Sequence, residues 1–338
     1  MGSLITGLGY VGSALALALR RRGEPVVALE NFFSTPRRLA ARLARDLGVH
    51  LVEGSVASPR SVDRAFNAGV AVDTVYHLAA QASAHPEAAS PWYTERSNLT
   101  GARLVFEAAR RYRVRTVVLA SSFRVYGAAL PRHVDEDTPY GRAPDLAHLT
   151  KIYVEKLLEL LVGDTDTRGV AVRLGLVYGP APVMKRDPRF MTAPNRFCLQ
   201  ATTGEPLVVH PSGLLPTTFI HVDDAAQALL AAATVPSAGF SVFNAGQEVA
   251  TVAAVAHRVA ESARSLGLDV VVRLPPSTGE EPPAPTVTSR LERLGFRQRH
   301  TLSEGLEETL HYFLATSAAP PRSSAARALR RPDALGGA

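Results

Sequence analysis

The sequence predicts an α/β fold, a doubly wound parallel sheet with a smaller C-terminal lobe. Three observations predict it. Apolar strand-like runs alternate with helix-like runs through the first 180 residues. A glycine-rich turn, Gly7-Leu8-Gly9-Tyr10-Val11-Gly12, joins the first strand to the first helix. From Gly179 onward the alternation gives way to proline-rich, irregular sequence.

Ser3–Thr6 reads as a short buried strand, Ser13–Arg22 as an Ala/Leu-rich helix, and Pro25–Glu30 as a second strand ending in an acid. Strand, G-x-G-x-x-G, helix, strand and carboxylate follow in the order a dinucleotide site requires. Gly7 allows the tight turn, Gly9 lets backbone N–H groups approach a pyrophosphate, and Gly12 lets the helix pack close to the strand. The positive end of the helix dipole then faces the phosphates. Glu30 is placed to accept hydrogen bonds from the adenosine ribose, which favours NAD, while Arg37 and Arg38 keep NADP open.

Thr35-Pro36 opens a second helix through Leu47, and Val49–Glu53 is the third strand. Pro59–Ala68 is helical, Val72–Leu78 the fourth strand, and a long helix covers Tyr93–Tyr112. Thr116–Ser121 forms the fifth strand, Asp145–Val162 a helix, and Val170–Val177 the sixth strand. The expected strand order is 3-2-1-4-5-6, with ligands at the carboxyl ends. Residues 1–180 therefore form a Rossmann-type domain, to which 223–245 return with a helix and a short strand. Residues 181–222 and 246–315, read as short strands and short helices, form a substrate-binding lobe, and 316–338 a disordered basic tail.

Composition narrows the function classes. Hydrophobic residues make up 46% of the 338 and charged residues only 20%, as in an ordinary globular enzyme-sized chain. The single Cys198 excludes a disulfide framework and a cysteine-rich metal site, and fits a reducing cytoplasm. No run is long and apolar enough to span a membrane, and no signal peptide is expected before the first strand. Net charge is +6, half of it from the tail, without the aromatic interleaving of a nucleic-acid surface. Only three of the 37 basic residues are lysines, Lys151, Lys156 and Lys185, so a lysine at a meaningful position stands out.

Ser121-Ser122-Phe123-Arg124-Val125-Tyr126-Gly127 follows the fifth strand, and Lys151 lies one helical segment further on. With the opening turn, His77–Gln81, Asn98–Gly101, Thr150-Lys151 with Glu155 and Leu157, Arg173–Pro180 and Phe219–Asp224, the chain resembles the extended short-chain dehydrogenases/reductases, the sugar epimerases and dehydratases. The resemblance runs from residue 3 to about 314. It implies that Ser122 hydrogen-bonds a reacting hydroxyl and that Lys151 holds the nicotinamide ribose and lowers a tyrosine's pKa. It implies cofactor contacts at Gly7, Gly9, Tyr10, Val11, Gly12, Glu30, Asn31, Phe32, Ser55, Val56, Leu78, Ala79, Ala80, Asn98, Ser121, Lys151 and Leu174. Substrate contacts are implied at Gln81, Ser83, Tyr178, Asn195 and Arg196, no metal is implied, and a homodimer through the two long helices is.

Departures from the family pattern matter as much. The tyrosine expected four residues before Lys151 is replaced by Ala147. His148 is a candidate base, though one position along the helix turns it about 100° from Ala147. Tyr126, Arg124, Asp135, Glu136 and a water on Ser122 stay open as alternatives. Where relatives place phosphate ligands this chain has Leu176 and Thr217, which favours a sugar-like substrate without a diphosphate: a nucleoside, sugar phosphate or cyclitol. The loop Lys185–Arg189 with Arg196 offers replacement donors for a diphosphate sugar. Phe123-Arg124 replaces the dehydratases' Asp-Glu pair, and Arg124 is suited to stabilising an enolate or departing oxygen anion. The expected chemistry is transient oxidation by NAD, followed by epimerisation or loss of water and hydride return. A nucleotide-sugar 4-epimerase, a simple NAD(H)-exchanging dehydrogenase and a non-catalytic NAD-binding protein are the alternatives.

Overall fold

The computed structural model describes residues 2–317 apart from 84, 86, 89, 164, 237 and 277–282. The chain begins β1 (Gly2–Thr6), α1 (Tyr10–Arg21), β2 (Val26–Glu30), α2 (Arg37–Leu47), β3 (His50–Glu53), α3 (Pro59–Phe66) and β4 (Val72–His77). The long helix expected next is α4 (Pro91–Glu95), a π-helical turn (Arg96–Thr100) and α5 (Gly101–Arg111). Then come β5 (Thr116–Ser122), a 3₁₀ turn (Phe123–Tyr126), β6 (His133–Val134), α6 (Leu146–Val162) and β7 (Arg168–Leu174).

The parallel sheet runs β3-β2-β1-β4-β5-β7-β11, where β11 is Gly239–Ala245, so the predicted order holds and the returning strand is added at one edge. Successive side chains of a strand face opposite sides. Ile5 and Ala28 accordingly join the core beneath α1 and α2, and Leu4 and Val27 the core beneath α3, α5 and α6.

The expected sixth strand is not one strand. β7 stops at Leu174, and β8 (Leu176–Tyr178) belongs to a second sheet with β10 (Pro216–His221) and β12 (Glu248–Thr251). Gly175 makes the switch: a Cβ there would lie 2.8 Å from Thr218 Oγ1 and 2.9 Å from Thr218 O, while its N–H reaches Ala245 O at 2.7 Å. Any side chain at 175 would wedge the two sheets apart.

The second lobe is more regular than its sequence suggests. It contains α7 (Ala193–Thr203), β9 (Leu207–Val208), α9 (Val252–Ser265), β13 (Val272–Arg273) and α10 (Leu302–Ser317), while α8 (Val222–Ala232) packs against α1 and β14 (Thr286–Val287) leaves the expected 246–315 lobe to pair with β6. Its core is Phe197, Phe219, Val259, Leu306 and Phe313, with Tyr178 among them. In α9 the buried face is built of alanine and valine alone, a weak apolar signal in the sequence. The tail expected from residue 316 begins inside α10; positions 318–338 lie outside the described residues. Among the described residues no helix is long and apolar enough to cross a membrane.

Candidate active site

The opening turn has the geometry its glycines predict. Gly7 sits at φ +90°, in the region that favours glycine. A Cβ on Gly12 would lie 1.9 Å from the Gly7 carbonyl oxygen, so α1 is seated directly on the turn and its free N-terminal N–H groups open over the end of β1. Glu30 is buried at the end of β2, and its Oε1 accepts the Phe32 N–H at 2.7 Å. Phe32 lies at φ +59°, and Asn31 donates to the Tyr93 hydroxyl at 3.0 Å. Arg37 is committed elsewhere: it pairs with Glu53 and lies 4.3 Å over the Phe32 ring. A glycine cradle, a helix N-terminus and a buried ribose-side carboxylate fit NAD.

Beside this cradle, Leu78, Ala79 and Ala80 continue from β4. Asn98 holds that segment: its Oδ1 accepts the Gln81 N–H at 2.7 Å, and its Nδ2 donates to Gln81 O and Thr150 Oγ1, both at 2.9 Å. Gln81 in turn donates to Ser83 O and Ala88 O, and Ser83 to Arg189 O. These polar side chains are engaged with the protein, in positioning roles. Ser55 accepts the Ala57 N–H, Val56 is buried beneath Gly101, and Leu174 is buried at the end of β7.

The end of β5 holds the serines expected to take part in chemistry. Ser121 is buried and donates to Glu155, which is paired at 2.7 Å with Arg173. Tyr126 and Tyr140 complete this cluster, each bonded to one member of the ion pair. Ser122 is half-buried, and its Oγ accepts the Arg124 N–H at 3.2 Å. Lys151 on α6 donates to Ala120 O at 2.6 Å, two residues back on the same strand. Burial lowers its pKa from 10.5 to about 8, partly offset by the Glu155 charge.

The vacant tyrosine position, Ala147, is buried. One residue on, His148 forms a dyad with Asp145, the N-cap of α6: Asp145 Oδ1 accepts the His148 N–H at 3.0 Å and meets Nδ1 at 2.7 Å. A carboxylate only accepts, so Nδ1 carries the proton and Nε2 keeps its lone pair. Measured from Lys151 at 100° per residue, Ala147 lies about 40° to one side and His148 about 60° to the other. Both therefore share the Lys151 side of the helix. The Tyr126 hydroxyl lies 2.8 Å from Asp135 O and 2.7 Å from Asn244 Oδ1, sharing its one proton between these acceptors, and burial pushes its pKa up to about 12. Glu136 is buried and accepts the N–H groups of Asn244 and Arg290. Both are engaged with other partners, whereas Arg124, Asp135 and a water on Ser122 stay alongside the Asp145–His148 pair as candidates. Asp145 carried a recognisable signal in the sequence, an acid three residues before a histidine at a helix start.

In the second lobe the expected substrate contacts divide. Tyr178 is fully buried, edge-on to His221 at 5.5 Å, where the sheet switch at Gly175 turns it into the lobe's core. Asn195 accepts the Gly179 N–H at 3.0 Å and lines a small cavity with Tyr10, Lys185 and Phe190. Arg196 is half-buried, and its Nε has no hydrogen-bond partner. Residues 179–190 reach across to the dinucleotide crevice, where Tyr10 donates to Gly179 O at 2.6 Å and Lys185 to Ser34 Oγ at 2.9 Å. Phe190 meets Phe33 edge-on at 5.7 Å, and Phe33 stacks on Tyr93. Sequence reading gave Lys185 no such bridging role.

His221, Asp223 and His300 bring one ligand atom each within 4.8 Å of one another. The two imidazoles are stacked, centroids 4.0 Å apart and 22° between planes. Ring-nitrogen lone pairs lie in the ring planes, so these two do not converge on one ion.

Comparison with known proteins agrees with this geometry. The profile of the NAD dependent epimerase/dehydratase family matches residues 3–246. The chain belongs to that family. Its cofactor is NAD, and its fold is the Rossmann-like α/β fold of the UDP-glucose epimerases. It is 27% identical to the UDP-N-acetyl-alpha-D-glucosaminuronate decarboxylase of Bacillus cytotoxicus, over 92% of this chain and 97% of that one. It is equally 27% identical to the UDP-glucose 4-epimerase of Yersinia enterocolitica, over 91% and 96%. Among solved structures, the UDP-glucose 4-epimerase of Thermus thermophilus in complex with NAD superposes with a TM-score of 0.77 at 26% identity, covering 93% of this chain and 99% of that one.

Proposed function

We propose that the protein is an NAD-dependent enzyme that remodels a nucleotide-linked sugar by transient oxidation of a ring hydroxyl. The observations that carry this reading are Ser122 at the end of β5, Lys151 tied to the same strand through Ala120 O, and the Asp145–His148 dyad on the Lys151 side of α6. Gly7, Gly9 and Gly12, the N-terminus of α1, Glu30 and Lys151 would hold NAD. When bound, NAD supplies a reversible acceptor for the hydrogen that leaves the carbon of that hydroxyl.

The chain's own groups do the rest. Ser122 Oγ holds the reacting hydroxyl in place. His148 Nε2 takes the hydroxyl proton, and Asp145 stabilises the resulting imidazolium and fixes its tautomer. The Lys151 ammonium, fixed by Ala120 O, keeps a positive charge beside the ribose and favours charge separation nearby. Once a carbonyl has formed, the adjacent C–H is acidic, which opens the routes to epimerisation or bond cleavage.

A diphosphate substrate is favoured over the diphosphate-free ones that Leu176 and Thr217 suggest. Arg196 is a half-buried cation with an unpaired Nε beside Asn195, and relatives that match almost the whole chain are named for UDP-sugars. The second lobe, residues 181–222 and 246–315, would hold the nucleotide. Incubation of the NAD-loaded protein with UDP-sugars, followed by NMR of the products, tests the reading. Wild type is expected to turn over at least one of them, with S122A, H148A and K151A each slowed about 100-fold or more. Unchanged rates in S122A and H148A would remove these groups from the chemistry, and turnover of no UDP-sugar by wild type would move the chain to the non-catalytic class.

A further inference from the structure

Two arginines stand apart from the rest. Buried or half-buried arginines elsewhere are satisfied: Arg20 by Leu47 O and Glu24 O, Arg168 by Val235 O and Thr116 Oγ1, Arg173 by Glu155, and Arg290 by Asp137. Among the described residues, the half-buried side chains of Arg124 and Arg196 donate no hydrogen bond to the protein and join no ion pair. Arg196 Nε is shut off from water without an acceptor, and Arg124 is partly desolvated with no hydrogen-bond partner for its side chain among the described residues, so each carries a cost the fold does not offset. Such a group is explained by an anion that arrives with a ligand.

The two cations occupy different places. Arg196 lies on α7 of the second lobe, where the nucleotide's diphosphate is placed above. Arg124 follows the reactive Ser122 by two residues, in a 3₁₀ turn whose other members, Phe123, Val125 and Tyr126, are buried in a small core of their own. That anchoring makes the turn rigid. Burial holds the Arg124 pKa below the usual guanidinium value; the opposing charge that reaches it is Asp145, whose Oδ1 is engaged by His148. The cation thus stands at the sugar end of the site, away from the diphosphate.

We infer that Arg124 is the receptor for a carboxylate carried on the sugar ring, and that the preferred substrate is a nucleotide-linked uronic acid. The inference rests on the nucleotide-sugar reading and deepens it. A planar guanidinium matches a planar carboxylate through two parallel N–H···O bonds, each charge-assisted. A sugar bearing a hydroxymethyl group at that position leaves Arg124 buried and unpaired, so discrimination arises as much from rejection of the neutral sugar as from attraction of the acid.

Calorimetric titration of the NAD-loaded full chain with UDP-glucuronic acid and with UDP-glucose, which share one nucleotide, tests this. Wild type is expected to bind the acid about 10-fold or more tighter. In R124M the acid-to-neutral affinity ratio is expected to fall to about one. R124K keeps a point charge without the fork, so its ratio should fall at least threefold, and it provides the test if R124M does not fold. A wild-type ratio near one, or an unchanged ratio in R124M or R124K, overturns the assignment of Arg124 while leaving the nucleotide-sugar reading intact. Binding of neither sugar by wild type overturns both.

Discussion

Replacing Lys151 by methionine should make the protein more stable and abolish its chemistry. The magnitude follows from the buried ammonium. Its pKa falls from 10.5 to about 8, chiefly through desolvation. At about 1.36 kcal/mol per pH unit, keeping this group charged in the fold costs roughly 3 kcal/mol at pH 7. The variant also loses the 2.6 Å hydrogen bond to Ala120 O, a net contribution of about 1 kcal/mol. Methionine fills a similar volume, so K151M should gain about 2 kcal/mol. With an unfolding entropy of about 2.1 cal/mol/K per residue, that raises Tm by about 3 °C for a chain of this length.

The pH dependence separates this account from a packing effect. Folding depresses the pKa, so between about pH 8 and 10.5 the unfolded chain binds the Lys151 proton more than the folded chain does. Wild-type stability then rises with pH through that window. The advantage of K151M is therefore full below pH 8, is gone near pH 9.5 and turns into a deficit of about 1 kcal/mol by pH 10.5. Denaturant unfolding of NAD-stripped wild type and K151M at pH 7 and pH 9.5 measures both, without cofactor linkage. A variant less stable than wild type at pH 7, or a difference identical at the two pH values, would refute the reasoning.

Four further outcomes are expected. Gly12→Ala drives a methyl group into the Gly7 carbonyl and should abolish NAD retention, seen as loss of co-purifying NAD by mass spectrometry. Asp145→Asn keeps a helix cap but removes the charge behind His148, so kcat should fall about 10–100-fold with little change in Tm. Arg173→Met strands the buried Glu155 carboxylate and should cost about 3–5 kcal/mol in denaturant unfolding. Leu149, Tyr153 and Leu160 form an exposed stripe on α6, Leu160 at 76% exposure, so sedimentation should show a wild-type dimer that Leu160→Glu dissociates; a monomeric wild type would remove the basis for that interface.

The sequence by itself determined the sheet, its strand order and the NAD cradle. These rest on local signals: alternating periodicities, a turn that only glycine can make, and an acid at a fixed distance along one βαβ unit. It also marked Ser122, Lys151 and the vacancy at Ala147, because a helix carries spacing faithfully from residue number to position. Tertiary structure decided the rest. The break at Gly175 depends on Thr218, 43 positions away in the chain, and it carries Tyr178 from the expected substrate side into a core. Whether Glu136, Tyr126 or His148 was free to act as a base depended on partners such as Asn244 and Arg290, which no local pattern reveals. Charge balance is likewise a property of packing. Composition counts every arginine alike, and only the fold separates Arg173, which is paired with Glu155, from Arg124, for which no ion pair is formed among the described residues.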